Sequence, residues 1–271
     1  MTRHTRVVDP ADGLPAMLVG GARAERKHYF LTYYSAIFAK MQKFPRRVYV
    51  DLFAGPGRVR YEETGEYADG SPLLALKHGF TEFVFVELDP AFSSALQARC
   101  VSREPDRRVT VLQGDCNARV DEVVRLLPPR GLTLAFIDPT NWQVSFDTIR
   151  KLAAVPGVDL VVSMFLGSMK RVPDAARPNI DAFFGTDKWR REPYVNARGD
   201  LTLHGMMRCY REQLESLGYL NVPSAREIAV NTKTGTPLYL LAFFSKNQLG
   251  YEFWDKAIAR DPSGQMTLDL G

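Results

Sequence analysis

The chain has 271 residues, of which 45% are hydrophobic and 24% charged, with a formal net charge of +4. That composition excludes a largely disordered or collagen-like chain, and no apolar run approaches the roughly 18 residues that a membrane span needs. The polar start, Met1 to Arg6, has no apolar signal core behind it, so the expectation is a cytoplasmic protein. Cys100, Cys116 and Cys209 are widely spaced with no CxxC, and His4, His28, His78 and His204 show no HxH or HExxH spacing. Neither a disulfide framework nor a metal site is expected from such spacing. A sequence pI of 8.9 permits a nucleic-acid partner without demanding one.

In chain order, a helix is expected over residues 22–41, followed by a strand over 47–53. Residues 58–70 are polar and turn-rich and read as a loop insertion before a short helix at 73–78. Alternation follows: strands at 83–88, 109–113, 132–138 and 159–165, with helices at 91–101, 118–127 and 146–154. Residues 167–201 are long and mixed, and include Lys170-Arg171, Phe183-Phe184 and Lys188-Trp189-Arg190-Arg191. Loops of that length are usually functional, and the aromatics favour a lid that folds. A helix at 203–217, strands at 226–230 and 238–244, and a helix at 251–259 complete the chain.

Repeated strand–helix alternation implies a parallel sheet built from right-handed crossovers. Runs such as Phe83-Val-Phe-Val-Glu87 are almost continuously apolar, as in strands covered on both faces. The last two strands are joined by Asn231-Thr-Lys-Thr-Gly-Thr-Pro237, which leaves no room for a helix, so they must form an antiparallel hairpin.

The chemistry gathers at four successive strand ends. Asp51-Leu-Phe53-Ala-Gly55-Pro-Gly57 ends the first strand of the alternation, where ligands of open α/β sheets bind. Its glycines let the backbone turn tightly and approach a ligand, and Asp51 can accept a hydrogen bond from an ammonium group. Glu87, in Phe83-Val-Phe-Val-Glu87-Leu88-Asp89-Pro90, can bind both ribose hydroxyls of an adenosine. Asp89 is expected to cap the helix that Pro90 opens. In Gln113-Gly-Asp115-Cys116, Asp115 can accept from an adenine amine and the Cys116 N–H can donate to the ring. Asp115 as a helix cap is the alternative, and both can hold at once. Asp138-Pro139-Thr-Asn-Trp142 ends the fourth strand. There Asp138 and the Pro139 carbonyl can accept from a substrate amine, and Trp142 can stack on a planar ring or pack in the core. The constellation points to adenosine rather than phosphate, because the third glycine of a dinucleotide fingerprint is replaced by Arg60 and no P-loop is present.

These four motifs together resemble the class I S-adenosylmethionine-dependent methyltransferase superfamily. More narrowly, the chain resembles the bacterial three-Cys-motif partner proteins over most of its length, including Lys27-His28, Gly70-Ser-Pro-Leu73 and Glu252-Phe-Trp254. The resemblance implies a seven-stranded, Rossmann-like class I methyltransferase fold. Residues 1–271 would form one domain whose mostly parallel sheet ends in an antiparallel C-terminal hairpin and carries an inserted lid. It implies S-adenosylmethionine as cofactor, held by Lys27, Asp51, Phe53, Gly55, Gly57, Glu87, Leu88, Asp115, Cys116 and Asp138. Asp138, Pro139 and Trp142 would form the catalytic end. Lys27 and His28, on the preceding helix, would close over the cofactor carboxylate or else form a solvated helix face. Expected partners are a nucleic acid, methylated on a base amino group, and a three-Cys-motif protein resembling radical-S-adenosylmethionine enzymes. The alternatives are a small-molecule or protein methyltransferase, or a cofactor-binding scaffold without turnover.

Overall fold

The structure, a computed structural model, describes residues 5–165, 177–221, 228–231 and 237–259. The chain packs as two compact units, Met1–Ile137 and Asp138–Gly271.

The first unit runs β1 (Arg6–Val8), β2 (Pro15–Val19), α1 (Gly21–Phe38), β3 (Arg47–Asp51), β4 (Arg58–Tyr61), β5 (Tyr67–Asp69), α2 (Ser71–Leu76), β6 (Glu82–Glu87), α3 (Pro90–Arg103), β7 (Arg108–Gln113), α4 (Cys116–Leu126) and β8 (Leu132–Ile137). Strands β8, β3, β6 and β7 lie side by side in that order, all parallel. Their apolar runs are explained by burial on both faces: Val48, Tyr49, Val50, Phe83, Phe85, Val86, Leu134 and Phe136 are all buried. Tyr49 packs against Phe80 and Phe85 with ring centroids 5.4 and 6.2 Å apart. Helices α3 and α4 start where Asp89 and Asp115 accept from the N–H groups two and three residues on. Register places the ends of β3, β6 and β7 together, since Asp51 pairs with Phe85 and Glu87 with Gln113.

Residues 58–70 are not a loop insertion. They form the β4–β5 hairpin of a second sheet, ordered β1-β2-β4-β5. Val59 and Tyr61 alternate inward and pack with Met17 and Val19 of β2 and Ala68 of β5, giving this second sheet a small core of its own. The turn residues Glu62, Glu63, Thr64 and Glu66 are exposed, and Arg58 pairs with Asp69 at 3.0 Å, so the segment looks loop-like in sequence.

The second unit runs α5 (Phe146–Ala153), β9 (Val158–Phe165), α6 (Arg177–Phe184), a single 3₁₀ turn (Lys188–Arg190), α7 (Leu203–Glu215), β10 (Ile228–Asn231), β11 (Pro237–Phe244) and α8 (Gln248–Ile258). The predicted hairpin is present: β10 and β11 pair antiparallel, and β11 pairs antiparallel with β9. With β3, β6, β7 and β8, these are the seven strands that the sequence predicts. Within the expected lid, 177–201 folds as α6, the 3₁₀ turn and a bridge between Val195 and Leu201. Its aromatics form core: Phe183, Phe184, Trp189 and Tyr194 are buried. Lys170-Arg171 and the tail 260–271 lie outside the described residues.

Candidate functional site

Within the first unit, the glycine loop and Glu87 meet directly. Gly55 donates its N–H to Glu87 Oε2 at 2.7 Å, and Asp89 donates its N–H to Oε1 at 2.8 Å. A carboxylate has about four acceptor sites, so capacity remains for a ligand. Burial pushes the Glu87 carboxyl above the ordinary carboxylate range, opposed by the bonds from the Asp89 and Gly55 backbone. Leu88, the next residue, is 44% exposed, and its carbonyl accepts from Gln113 Nε2 at 2.9 Å.

The loop itself depends on glycine. Gly55 and Gly57 adopt φ of +62° and +81°, a region costly for residues with a Cβ. A Cβ at Gly57 would also come within 3.0 Å of Leu96 and 3.1 Å of Leu73. The Gly57 carbonyl accepts from Gly70 N at 2.8 Å, which ties the loop to the start of α2.

Asp51 does not present its side chain as the sequence suggests. It is 0% exposed. Its Oδ2 accepts from the Ser71 hydroxyl at 2.6 Å and its Oδ1 from the half-buried Phe53's N–H at 3.0 Å. Asp51 therefore braces the strand end against α2, because a buried carboxylate must be hydrogen-bonded. Ser71 is the partner that sequence reasoning missed; its place at the start of α2, in Gly70-Ser71-Pro72, was the available signal.

Asp115 is exposed and caps α4 with Oδ1, accepting from Asn117 N at 2.8 Å and Ala118 N at 3.3 Å. Cys116 opens α4, where the first N–H groups lack intrahelical partners. Its thiol is buried and pushed up to about 12 by that burial, then by Asp115. Gly114 donates its N–H to the Glu87 carbonyl at 2.9 Å, so the β6 and β7 ends are locked side by side. Lys27 and His28 fall on α1, but their side chains lie outside the described residues.

In the second unit, Asp138 is half-buried and Pro139 buried, directly after β8 in the chain. Trp142 is 8% exposed and packs edge-on to Phe183, centroids 5.0 Å apart, with Phe184 at 6.1 Å. Its ring is engaged in core packing, the second of the two roles the sequence allowed. The basic run at 188–191 is largely neutralised: Arg190 pairs with Asp181, and Arg191 with Asp187 at 3.0 Å.

Among the described residues, no helix is long and apolar enough to cross a membrane. The architecture is mixed α/β with a largely parallel sheet, the Rossmann-like methyltransferase class of fold. Solved structures share it. A Legionella pneumophila protein of the DUF519 family model is 13% identical, with a TM-score of 0.53 over 92% of this chain and 97% of that one. Trm1 from Pyrococcus horikoshii, solved with S-adenosyl-L-methionine, is 9% identical, with a TM-score of 0.52 over 94% of this chain and 62% of that one. No family model matches the chain, and neither does any curated protein.

Proposed function

We propose that the chain binds S-adenosylmethionine at the ends of β3, β6 and β7 and transfers its methyl group to an amino group of a nucleic-acid base. The observation that carries the cofactor reading is Glu87, set against the Gly55 N–H with acceptor capacity to spare and an exposed Leu88 beside it. The residues fit the group. Glu87 accepts from the two ribose hydroxyls, Leu88 offers apolar surface to the adenine, and Asp115 with the Cys116 N–H reads the ring edge. Gly55 and Gly57 allow close backbone approach, and Phe53 flanks them. The fold shared with Trm1, solved with this cofactor, supports the same reading.

The cofactor, when bound, supplies an electrophilic methyl carbon on a sulfonium. The chain's task is to hold an acceptor within about 3–3.5 Å of that carbon and keep water out. Asp138 and the Pro139 carbonyl accept from the incoming amine and stabilise its developing positive charge. A base inside a duplex must first be flipped out. Calorimetry with S-adenosylhomocysteine tests the cofactor; binding with a Kd on the order of micromolar, about −8 kcal/mol, is expected. Filter binding to single- and double-stranded DNA and RNA at low salt tests the acceptor, and no affinity for any of them removes that substrate class. A three-Cys-motif protein as partner belongs to this reading and is tested by co-purification.

One observation favours a second reading. With Arg190 and Arg191 ion-paired and Trp142 packed, a small-molecule or protein acceptor gains ground. Labelled-cofactor transfer into cell fractions with and without nuclease treatment separates the two.

A further inference from the structure

The glycine loop is held from a direction that the strand-end motifs do not reveal. Arg99, on α3, is 2% exposed. Its Nε and one terminal nitrogen donate to the two Asp12 oxygens at 2.8 and 2.9 Å. The second terminal nitrogen donates to the carbonyls of Pro15 and Pro56, both at 2.7 Å, and the nitrogen on Asp12 makes a longer bond of 3.3 Å to the Leu14 carbonyl. A guanidinium has five N–H donors, so all five are committed. Pro56 is the residue between Gly55 and Gly57; Asp12, Leu14 and Pro15 belong to the turn and strand of the β1–β2 hairpin.

Two further contacts run the same way. Arg6, on β1, pairs with Asp89, whose own N–H donates to Glu87. A Cβ at Gly55 would lie 3.4 Å from Met17 Cε on β2, so the second sheet packs on the loop's outer side. Each group in the loop has a different keeper: Glu87 takes the Gly55 N–H, Arg99 holds the Pro56 carbonyl, and Gly70 donates to the Gly57 carbonyl.

We propose that Arg99 is a positioning residue of the cofactor site, latching the β1–β2 hairpin to the Pro56 carbonyl so that this small sheet sets the conformation of the glycine loop and hence nucleoside affinity. The inference rests on the cofactor reading above. The physical reason is preorganisation: a loop already held in its binding shape loses less freedom on binding. Lysine at 99 keeps the charge but, with one nitrogen, cannot hold Asp12 by two bonds and both proline carbonyls.

The test compares Arg99→Lys, Asp12→Asn and a control, Glu82→Gln, in the full chain. Glu82 pairs with Arg46 at 2.6 and 2.7 Å at the opposite end of β6, so its loss destabilises the same unit without touching the loop. Three quantities are read: the thermal midpoint, amide hydrogen exchange at Gly55 and Gly57, and the Kd for S-adenosylhomocysteine. Arg99→Lys should speed loop exchange and weaken binding about tenfold, as small misplacements can. Asp12→Asn, in an exposed turn, should do the same to a smaller extent and serves if Arg99→Lys does not fold. Glu82→Gln should lower the midpoint and leave loop exchange and Kd within about twofold of wild type. Unchanged exchange and Kd in both latch variants, or equal changes in the control, overturn the latch alone. A wild-type protein that binds no S-adenosylhomocysteine overturns the cofactor reading, and the positioning role with it.

Discussion

Replacing Glu87 by glutamine is nearly isosteric and removes one negative charge at the centre of the candidate site. In the native chain, Oε2 accepts from Gly55 N at 2.7 Å and Oε1 from Asp89 N at 2.8 Å. Glutamine retains one acceptor, so one of those backbone N–H groups must face an amide NH₂. An unmatched buried donor costs about 1–3 kcal/mol. For a chain of this size that lowers the thermal midpoint by roughly 2–4 °C per kcal/mol. The ligand loses more, because hydrogen bonds to a charged acceptor contribute about 1.5–3 kcal/mol. Each 1.4 kcal/mol is a factor of ten, so the Kd for S-adenosylhomocysteine should rise by about ten- to a hundredfold. Calorimetry and thermal unfolding on the same samples separate the two effects. Wild-type affinity in Glu87→Gln, at any stability, would refute the ribose role. The pH dependence gives an independent check. Burial raises the Glu87 carboxyl, so its contribution to stability is present below its unfolded value and lost as pH rises through the folded one. Affinity runs the other way if the charged form holds the ribose: binding should weaken on acidification before exposed carboxylates titrate.

Asp69 should govern part of the acid unfolding. Burial pushes its carboxyl up, but hydrogen bonds from Lys77, Arg103 and Arg58 outweigh that and bring it to about 2. With the folded value depressed, its stabilisation, on the order of 2 kcal/mol, is present above the unfolded value near 4 and lost as pH falls toward 2. Asp69→Asn should flatten that part of a pH-dependent urea titration; an unchanged profile refutes the assignment. Trp142→Ala should cost about 3–5 kcal/mol in denaturant unfolding through the cavity it leaves against Phe183 and Phe184. A stability loss below about 1 kcal/mol would contradict the packing role. The thiols of Cys100, Cys116 and Cys209 are buried and each is pushed up to about 12 by burial. They should resist a disulfide reagent at pH 8 in native protein and react fully in denaturant; fast native reaction would show that the burial is wrong.

Sequence patterns exposed the α/β alternation well because they follow local rules. The apolar runs of β6 and β8 report burial on both faces, the short link before β11 permits only a hairpin, and Asp89-Pro90 marks the start of α3. The small sheet was harder to see. Its strands have three to five residues each, too short for a clear period, and its core joins Val59, Tyr61 and Ala68 to Met17 and Val19 from some forty positions earlier. In the 167–201 stretch the aromatics favoured a segment that folds, and in its described part Phe183 and Phe184 pack on Trp142 and Tyr210; which partners they would meet was not legible, because those partners come from distant parts of the chain.

The sequence alone determined which groups stand at the strand ends, because strand termini, glycine turns and helix caps are set within a few neighbouring residues. Only the tertiary structure decided what those groups do. Asp51 turns inward because Ser71, twenty positions later, meets it in a buried space. The Pro56 carbonyl is held because Arg99 arrives from another helix with Asp12 already in its grip. Hydrogen bonds between residues so far apart in the chain leave no periodic trace; they exist only once packing has brought the partners together.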